Sequence, residues 1–75
     1  MMETERTETI RIVVNGQVRQ VPAGRPLFQI LTLLDVDPAR VAVELNRVIV
    51  SRPSWPDVTV NSGATLEIVQ FVGGG

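Results

Sequence analysis

The sequence offers few side chains that could carry out chemistry. It contains no cysteine and no histidine, and all seven of its basic residues are arginine. It therefore lacks a thiolate, an imidazole and the usual ligands of transition metals. Without lysine it can neither form a Schiff base nor offer a side-chain amine for conjugation. Ser51, Ser54 and Ser62 have no histidine to activate them as nucleophiles.

Paired carboxylates are the remaining side-chain candidates for acid–base chemistry. Asp35, Asp37 and Asp57 lie in loop-like stretches of sequence, where aspartate commonly caps a helix or a turn. We interpret all three as caps, and so we do not expect an enzyme that works alone. This leaves the α-carboxylate at the end of the chain as the candidate reactive group.

That end consists of Gly73, Gly74 and Gly75. A terminal glycine run is also typical of a frayed tail, and an ordinary interaction domain with an inert end is one interpretation. The sequence before the glycines decides between a reactive end and an inert one.

The length and composition of the chain indicate one small domain. Seventy-five residues, 44% hydrophobic and 20% charged, are typical of a compact soluble protein near the lower size limit for a single core. The net charge of −1 and the dispersed arginines argue against nucleic-acid binding. No apolar stretch could cross a bilayer or act as a secretory signal, and we expect a cytoplasmic protein with no membrane partner.

The first half predicts a hairpin. The β-branched stretch Thr9–Val14 reads as a strand, and Asn15-Gly16 supplies the two residues with positive φ that a tight turn requires. The residues 17–22 return as a second strand, in which Val18, Arg19 and Val21 suggest half burial and Pro22 ends the pairing.

A helix is predicted next. Pro26 is expected at its first position, without a Ser, Thr or Asp cap, and the helix should run to about Asp35. Its core-facing residues follow the spacing i, i+3, i+4 and i+7. They are Leu27, Ile30, Leu31 and Leu34.

The second half predicts three strands. Val41–Leu45 is nearly continuously apolar, as in a strand buried within a sheet, and Asn46-Arg47 separates it from Val48–Val50. The proline-rich residues 51–57 predict an irregular loop. Its Trp55 is expected to cover the edge of the core. After a turn at residues 61–63, the last strand begins at Thr65.

One helix can cover only one face of such a sheet, which predicts an α+β fold of the β-grasp (ubiquitin-like) type. About five strands form a mixed sheet, and the last strand lies centrally beside the first. We expect a flexible extension over residues 1–8, the β-grasp domain over 9–72 and a flexible glycine tail over 73–75.

Four motifs carry a family resemblance. They are VNGQ at 14–17, ILTLLDV at 30–36, VAVELNRVIVSR at 41–52 and NSGATLEIVQFVGGG at 61–75. Together with the intervening tryptophan, they resemble the ThiS family of ubiquitin-like sulfur carriers of thiamine biosynthesis. Ala64 stands where the family commonly has aspartate, and Gly73 lies at a variable position.

The resemblance implies a chemistry for Gly75. An E1-like (ThiF-like) adenylyltransferase would adenylate its carboxylate with ATP, and sulfur drawn from cysteine through a desulfurase would convert it to a thiocarboxylate. Thiazole synthase (ThiG-like) would accept that sulfur. The carrier itself would be a protein co-substrate with no permanently bound cofactor and no metal.

Elementary chemistry agrees with that expectation. A free α-carboxylate is ionised at neutral pH and resists a sulfur nucleophile, so it must be activated inside another protein's nucleotide site. Three extended glycines would reach roughly 10 Å beyond Val72, and without Cβ atoms they could pass a narrow channel. Phe71 and Val72 are candidates for docking, although burial of Phe71 in the carrier's own core is an equal alternative.

Two other functions share this chemistry. The small subunit of molybdopterin synthase has the same fold and a thiocarboxylate end, and a ubiquitin-like modifier joins its terminal glycine to lysines of other proteins. The segment VAVELNRVIV favours the thiamine carrier over the molybdopterin subunit.

Overall fold

The computed structural model describes residues 8–71. Its main elements are β1 (Thr9–Val14), β2 (Gln17–Pro22), α1 (Leu27–Leu33), β3 (Val41–Leu45), β4 (Val48–Ile49) and β5 (Thr65–Gln70). Two short 3-10 helices cover Pro38–Arg40 and Arg52–Asp57. Within this described range, no helix is long and apolar enough to span a membrane.

The strands form one mixed five-stranded sheet in the order β2-β1-β5-β3-β4. β5 runs parallel to β1, with Val13 opposite Thr65, and antiparallel to β3, with Val43 opposite Ile68. The last strand therefore lies in the middle of the sheet beside the first strand, as predicted. Because β5 is paired on both sides, its backbone path is fixed by two ladders of hydrogen bonds.

Both hairpins turn on two residues with positive φ. Asn15 and Gly16 have φ values of 49° and 83°, and Asn46 and Arg47 have values of 51° and 71°. These are the left-handed conformations of a type I′ turn, whose twist matches that of the flanking strands. The first hairpin confirms the prediction, and the predicted break at Asn46-Arg47 is a tight hairpin turn as well.

The core lies between α1 and one face of the sheet. From α1, Leu27, Ile30 and Leu31 are fully buried, and Leu34 packs against the cluster from its edge. The predicted helical face is therefore confirmed. The other buried residues come mainly from alternate positions of the strands and from the loops that close the core; they are Ile12, Val14, Val21, Val41, Val43, Trp55, Val60, Ala64 and Leu66.

The opposite face of the sheet is not covered by any described element, and this corrects two expectations. The first is the grouping of Val18 with Val21 on β2. Val18 is exposed while Val21 is buried, because positions three apart on a strand point to opposite faces. In β3, Val41 and Val43 are buried but Ala42 is only partly so. The apolar run VAVEL thus belongs to a strand with one open face, and not to one buried on both sides.

The ends of α1 differ slightly from the prediction. Pro26 is the N-cap, one position before the first helical residue, and it makes no side-chain capping bond. The helix ends at Leu33, two residues earlier than expected. There the amides of Asp35 and Val36 donate to the carbonyls of Thr32 and Leu31, which is the Schellman arrangement, and Asp35 adopts a φ of 63°.

The residues 51–57 are not irregular. They include the 3-10 helix Arg52–Asp57, which has one proline in its first turn, where the missing N–H is not needed, and Pro56 inside the helix. Trp55 is buried, as predicted for a cover over the edge of the core. Its indole Nε1 donates to the carbonyl oxygen of Val50 at 2.9 Å.

Candidate functional site

The candidate site is the end of β5 and the chain that follows it. Phe71 comes directly after the strand, and its amide donates to the carbonyl oxygen of Arg40 at 2.8 Å. This bond extends the β3–β5 ladder by one step, so the backbone is held in line with the central strand as far as Phe71. Val72, Gly73, Gly74 and Gly75 lie outside the described residues, including the predicted reactive group at Gly75.

Asn15 holds β5 from the side of β1. Its Oδ1 accepts a hydrogen bond from the amide of Ile68 at 2.7 Å, and its Nδ2 donates to the carbonyl oxygen of the same residue at 3.1 Å. The parallel ladder of β1 and β5 pairs Val13 with Thr65 and Val14 with Leu66. The Asn15 side chain therefore continues that ladder at a point where the β1 backbone turns away.

Asn46 holds β5 from the side of β3. Its side-chain Oδ1 accepts a hydrogen bond from the backbone amide of Thr65 at 3.0 Å, and its backbone amide donates to the carbonyl oxygen of Thr65 at 2.8 Å. The central strand is thus clamped by one asparagine from each hairpin turn. The sequence prediction treated both asparagines only as turn residues. The tendency of asparagine to combine positive φ with side-chain bonds to backbone is the signal that could have identified them.

The open face of the sheet is the second part of the site. Phe71 is 54% exposed and so does not belong to the domain's own core, and Val69 on β5 and Ile49 on β4 are also exposed. Isolated exposed apolar side chains are common, but several on one sheet face are typical of an interaction surface. Burial of Phe71 in its own domain, one of the two alternatives from the sequence, is therefore wrong.

Of the three aspartates that the sequence interpreted as caps, Asp37 is the one whose side chain caps a helix in the described part of the chain. Asp37 Oδ1 accepts from the amide of Ala39 at the start of the first 3-10 helix, and its other oxygen lies 3.6 Å from Arg40 Nε. Asp35 occupies the left-handed position after α1, and Asp57 ends the second 3-10 helix. Over residues 8–71 no three potential metal ligands of the His, Cys, Asp or Glu type come together.

Ala64 is the position where the sequence departs from the family pattern. It is buried against the core, and its carbonyl oxygen accepts from the amide of Val13 at 2.9 Å. A small apolar side chain suits this buried position, since a carboxylate would need compensating partners there.

A two-layer domain with one helix against a five-stranded sheet, in which the final strand is central and leads toward a diglycine, is a small β-grasp protein. The chain belongs to the ThiS family, whose sequence model matches residues 8–75.

Two solved structures share the fold. Over 88% of this chain, the crystal structure of the thiamine biosynthesis protein ThiS from Geobacter metallireducens superposes with a TM-score of 0.75 at 31% identity and is covered completely. An NMR structure of a thiamine biosynthesis protein from the same organism gives a TM-score of 0.70 at 32% identity, with 88% of each chain covered. The β-grasp fold predicted from the sequence is confirmed.

Curated relatives fall into two kinds. The sulfur carrier protein ThiS of Escherichia coli is 32% identical over 66 residues, which are 88% of this chain and 100% of that protein. Thiazole synthases of Paramagnetospirillum magneticum and Magnetococcus marinus are 44% and 36% identical over 66 residues. The chain spans 20% of the length of each synthase. A segment similar to this domain is therefore also part of much longer proteins named thiazole synthase.

Proposed function

We propose that this chain is a sulfur carrier of thiamine biosynthesis, with Gly75 as the residue that carries the sulfur. An E1-like adenylyltransferase would use ATP to activate the Gly75 carboxylate, and a sulfur nucleophile would then convert it to a thiocarboxylate. Thiazole synthase would take the sulfur from there. The carrier would supply the reactive group and the docking surface, and its partners would supply catalysis.

The observation that carries this proposal is the position of β5. A strand paired on both sides and clamped by Asn15 and Asn46 holds the backbone in the sheet's centre as far as Phe71, four residues before Gly75. From Phe71, the four following residues could extend roughly 13–14 Å. That reach is enough to bring a terminal carboxylate into a partner's site while the folded domain stays outside.

The chemistry explains why activation must come first. A carboxylate oxygen of Gly75 attacks the α-phosphorus of ATP, and pyrophosphate leaves. The resulting acyl-adenylate has AMP as its leaving group, so a sulfur nucleophile can form a C–S bond at the carbonyl carbon while the C–O bond to AMP breaks. In these steps the carrier chain contributes its terminal carboxylate, and the partner enzymes contribute the catalytic groups.

Glycine suits the tail for two reasons. Without a Cβ, Gly73 and Gly74 can pass through a narrow channel and adopt backbone angles closed to other residues. Fixing each residue in a partner costs about 1–2 kcal/mol of conformational entropy. Contacts elsewhere on the domain must offset that cost, and we assign Phe71 and Val72 to docking next to the tail.

The test is the mass of the intact chain after incubation with an E1-like adenylyltransferase, ATP and a sulfur source. We expect one oxygen to be exchanged for sulfur, and fragmentation should place the change at Gly75. A control without ATP should leave the mass unchanged. If the complete reaction never yields the sulfur-containing form, the proposal is wrong.

The two alternatives predict different partners. A molybdopterin synthase subunit would bind the large subunit of that enzyme in place of thiazole synthase, and a protein modifier would yield isopeptides between Gly75 and lysines of target proteins. The two thiazole synthase relatives support the thiamine carrier, and binding to purified thiazole synthase separates it from both alternatives.

A further inference from the structure

The turn between β1 and β2 contains a chemically fragile pair of residues. Asn15 is followed by Gly16, and the backbone nitrogen after an asparagine can attack the amide carbon of that asparagine's side chain. Glycine favours this attack because it has no Cβ to hinder the approach and its backbone rotates freely. Both residues are exposed in the fold, so water reaches the reacting groups.

The reaction is a deamidation, and water is its only co-reactant. The nitrogen of Gly16 loses its proton to solvent and forms a bond to Cγ of Asn15. The bond from Cγ to Nδ2 breaks, and the nitrogen leaves as ammonia after taking up a proton. Water then adds to one carbonyl carbon of the resulting succinimide ring and opens it. The product at position 15 is aspartate or isoaspartate, in which the backbone runs through the former side chain.

The surroundings of Gly16 leave its nitrogen accessible. Apart from its own chain neighbours, no atom lies within 4 Å of the point where a Cβ would stand on Gly16. Over residues 8–71, its amide is not a donor in any of the backbone hydrogen bonds of turns and loops. The group that would attack is therefore neither shielded nor engaged elsewhere.

The side chain of Asn15, in contrast, is held on β5. Its Oδ1 accepts from the amide of Ile68 at 2.7 Å, and its Nδ2 donates to the carbonyl oxygen of Ile68 at 3.1 Å. The φ values of 49° and 83° keep the turn in its type I′ conformation. Cγ must leave Ile68 and the turn must change conformation before the ring can close. The bonds that clamp β5 therefore also protect the asparagine that makes them.

The other two asparagines of the chain lack this combination. Asn46 lies in the second hairpin turn with a φ of 51°, and its side chain also binds β5. It is followed by Arg47, whose side chain hinders the attack. Asn61 is exposed and forms no side-chain hydrogen bond within the described chain, but it is followed by Ser62. Asn15 alone combines a clamped side chain with a following glycine.

Deamidation would change the clamp into a repulsive contact. A carboxylate has no N–H group, so the carbonyl oxygen of Ile68 would lose the donor Nδ2 and face a second acceptor in its place. Isoaspartate would also lengthen the backbone of a two-residue turn, which disturbs the register of β1 against β2. Either product weakens the hold on β5, the strand that precedes the glycines.

We propose that Asn15-Gly16 is a modification site for spontaneous deamidation. The bonds to Ile68 hold the reaction off in the folded chain, the reaction proceeds when the clamp opens, and the product cannot re-form the clamp. Each molecule thus loses this contact once and irreversibly. The inference is independent of the proposed function, because it concerns the folded domain alone.

The first measurement follows deamidation at every asparagine of the full chain. The unmodified protein is incubated at constant pH and temperature in a series of denaturant concentrations up to complete unfolding. Peptide mapping then quantifies aspartate and isoaspartate at positions 15, 46 and 61 over time. The positions 46 and 61 serve as controls within the same molecule.

We expect the unfolded chain to deamidate fastest at Asn15, ahead of Asn46 and Asn61. In the folded chain the rate at Asn15 should be lower by about tenfold or more, and it should rise with denaturant in proportion to the fraction of open molecules. Equal rates at Asn15 in the folded and unfolded chains would overturn the proposal. A faster reaction at Asn46 or Asn61 in the unfolded chain would overturn it as well.

The second measurement tests the consequence for the clamp. Asn15→Asp reproduces the aspartate product, and Asn61→Asp is the matched control, because it adds the same charge at an exposed asparagine outside the clamp. Asn15→Asp should unfold at a lower denaturant concentration than the control. Equal unfolding midpoints would show that the clamp survives deamidation, which contradicts the proposal. If Asn15→Asp does not fold, the consequence is confirmed in its strongest form, and the rates in the unmodified chain still decide on the protection.

Discussion

The side chain of Asn15 binds both backbone polar groups of Ile68, a residue 53 positions later in the chain. This contact lets the first hairpin fix the central strand beyond the end of their backbone ladder. Ile68 is three residues before Phe71, so the clamp acts on the segment that leads to the tail. The stability of the sheet and the placement of the strand that precedes the glycines therefore depend on the same side chain.

Replacing Asn15 should destabilise the domain. Asn15→Gly keeps the positive φ available but removes both bonds to Ile68, and we expect a loss of about 1–3 kcal/mol in the free energy of unfolding. Asn15→Ala should lose about 1 kcal/mol more, because alanine is strained at this φ. Denaturant unfolding measures both. A glycine variant as stable as the unmodified chain would show that the two bonds contribute nothing.

Replacing Asp35 should stabilise the domain. Asp35 occupies the left-handed position of the Schellman motif and places a negative charge at the C-terminal end of α1. Asp35→Gly removes the strain and the unfavourable charge, with an expected gain of about 0.5–1 kcal/mol. Asp35→Asn, which removes the charge but keeps a side chain, should give a smaller gain. A loss of stability on Asp35→Gly in thermal or denaturant unfolding would contradict this account.

Trp55 should be sensitive even to a conservative change. Trp55→Phe keeps an aromatic ring but removes the donor to the Val50 carbonyl, and we expect a loss of about 1–3 kcal/mol. Trp55→Ala should cost about 3–5 kcal/mol, since it also leaves a cavity. Circular dichroism must follow unfolding here, because the chain's one tryptophan is the residue replaced. Equal stability of the phenylalanine variant would mean that the hydrogen bond is dispensable.

Phe71 should matter for binding and little for stability. Phe71→Ala is expected to weaken affinity for a tail-binding partner about fivefold to tenfold, which corresponds to a loss of about 1 kcal/mol or more. Leu33→Ala is the matched control, because Leu33 is 56% exposed, close to the 54% of Phe71, but lies on α1 on the other side of the domain. Calorimetric titration compares them. If the two variants bind equally well, Phe71 is not part of the docking surface.

Gly74 should tolerate almost no side chain if the tail enters a narrow channel. Gly74→Phe is expected to abolish formation of the thiocarboxylate. Gly74→Ala should slow that reaction by a smaller factor, because a smaller side chain clashes less with the channel wall. The unfolding midpoint of both variants should match that of the unmodified chain. Intact mass over a time course measures loading, and normal loading of Gly74→Phe would exclude a channel that fits only glycine.

Much of the fold could be read from the sequence because local signals and the global fold agree. Asn15-Gly16 between two β-branched stretches specifies a hairpin, and the spacing of Leu27, Ile30 and Leu31 specifies a helix with one buried face. The helix end and the 3-10 helix at residues 52–57 were less predictable. Their geometry depends on which carbonyls are free to accept hydrogen bonds, and the proline pattern alone does not decide that.

Some features of the candidate site were likewise predictable from the sequence, and others were not. Sequence alone determined the glycine run, the lack of cysteine, histidine and lysine, and the two-layer fold, since each depends on residue type or on spacing within one segment. Only the tertiary structure decided that Asn15 and Asn46 clamp β5, that Phe71 is exposed, and that Glu44 stands opposite Glu67. These relations join positions 19 to 53 residues apart, and strand register, which no local pattern specifies, determines which of those residues meet.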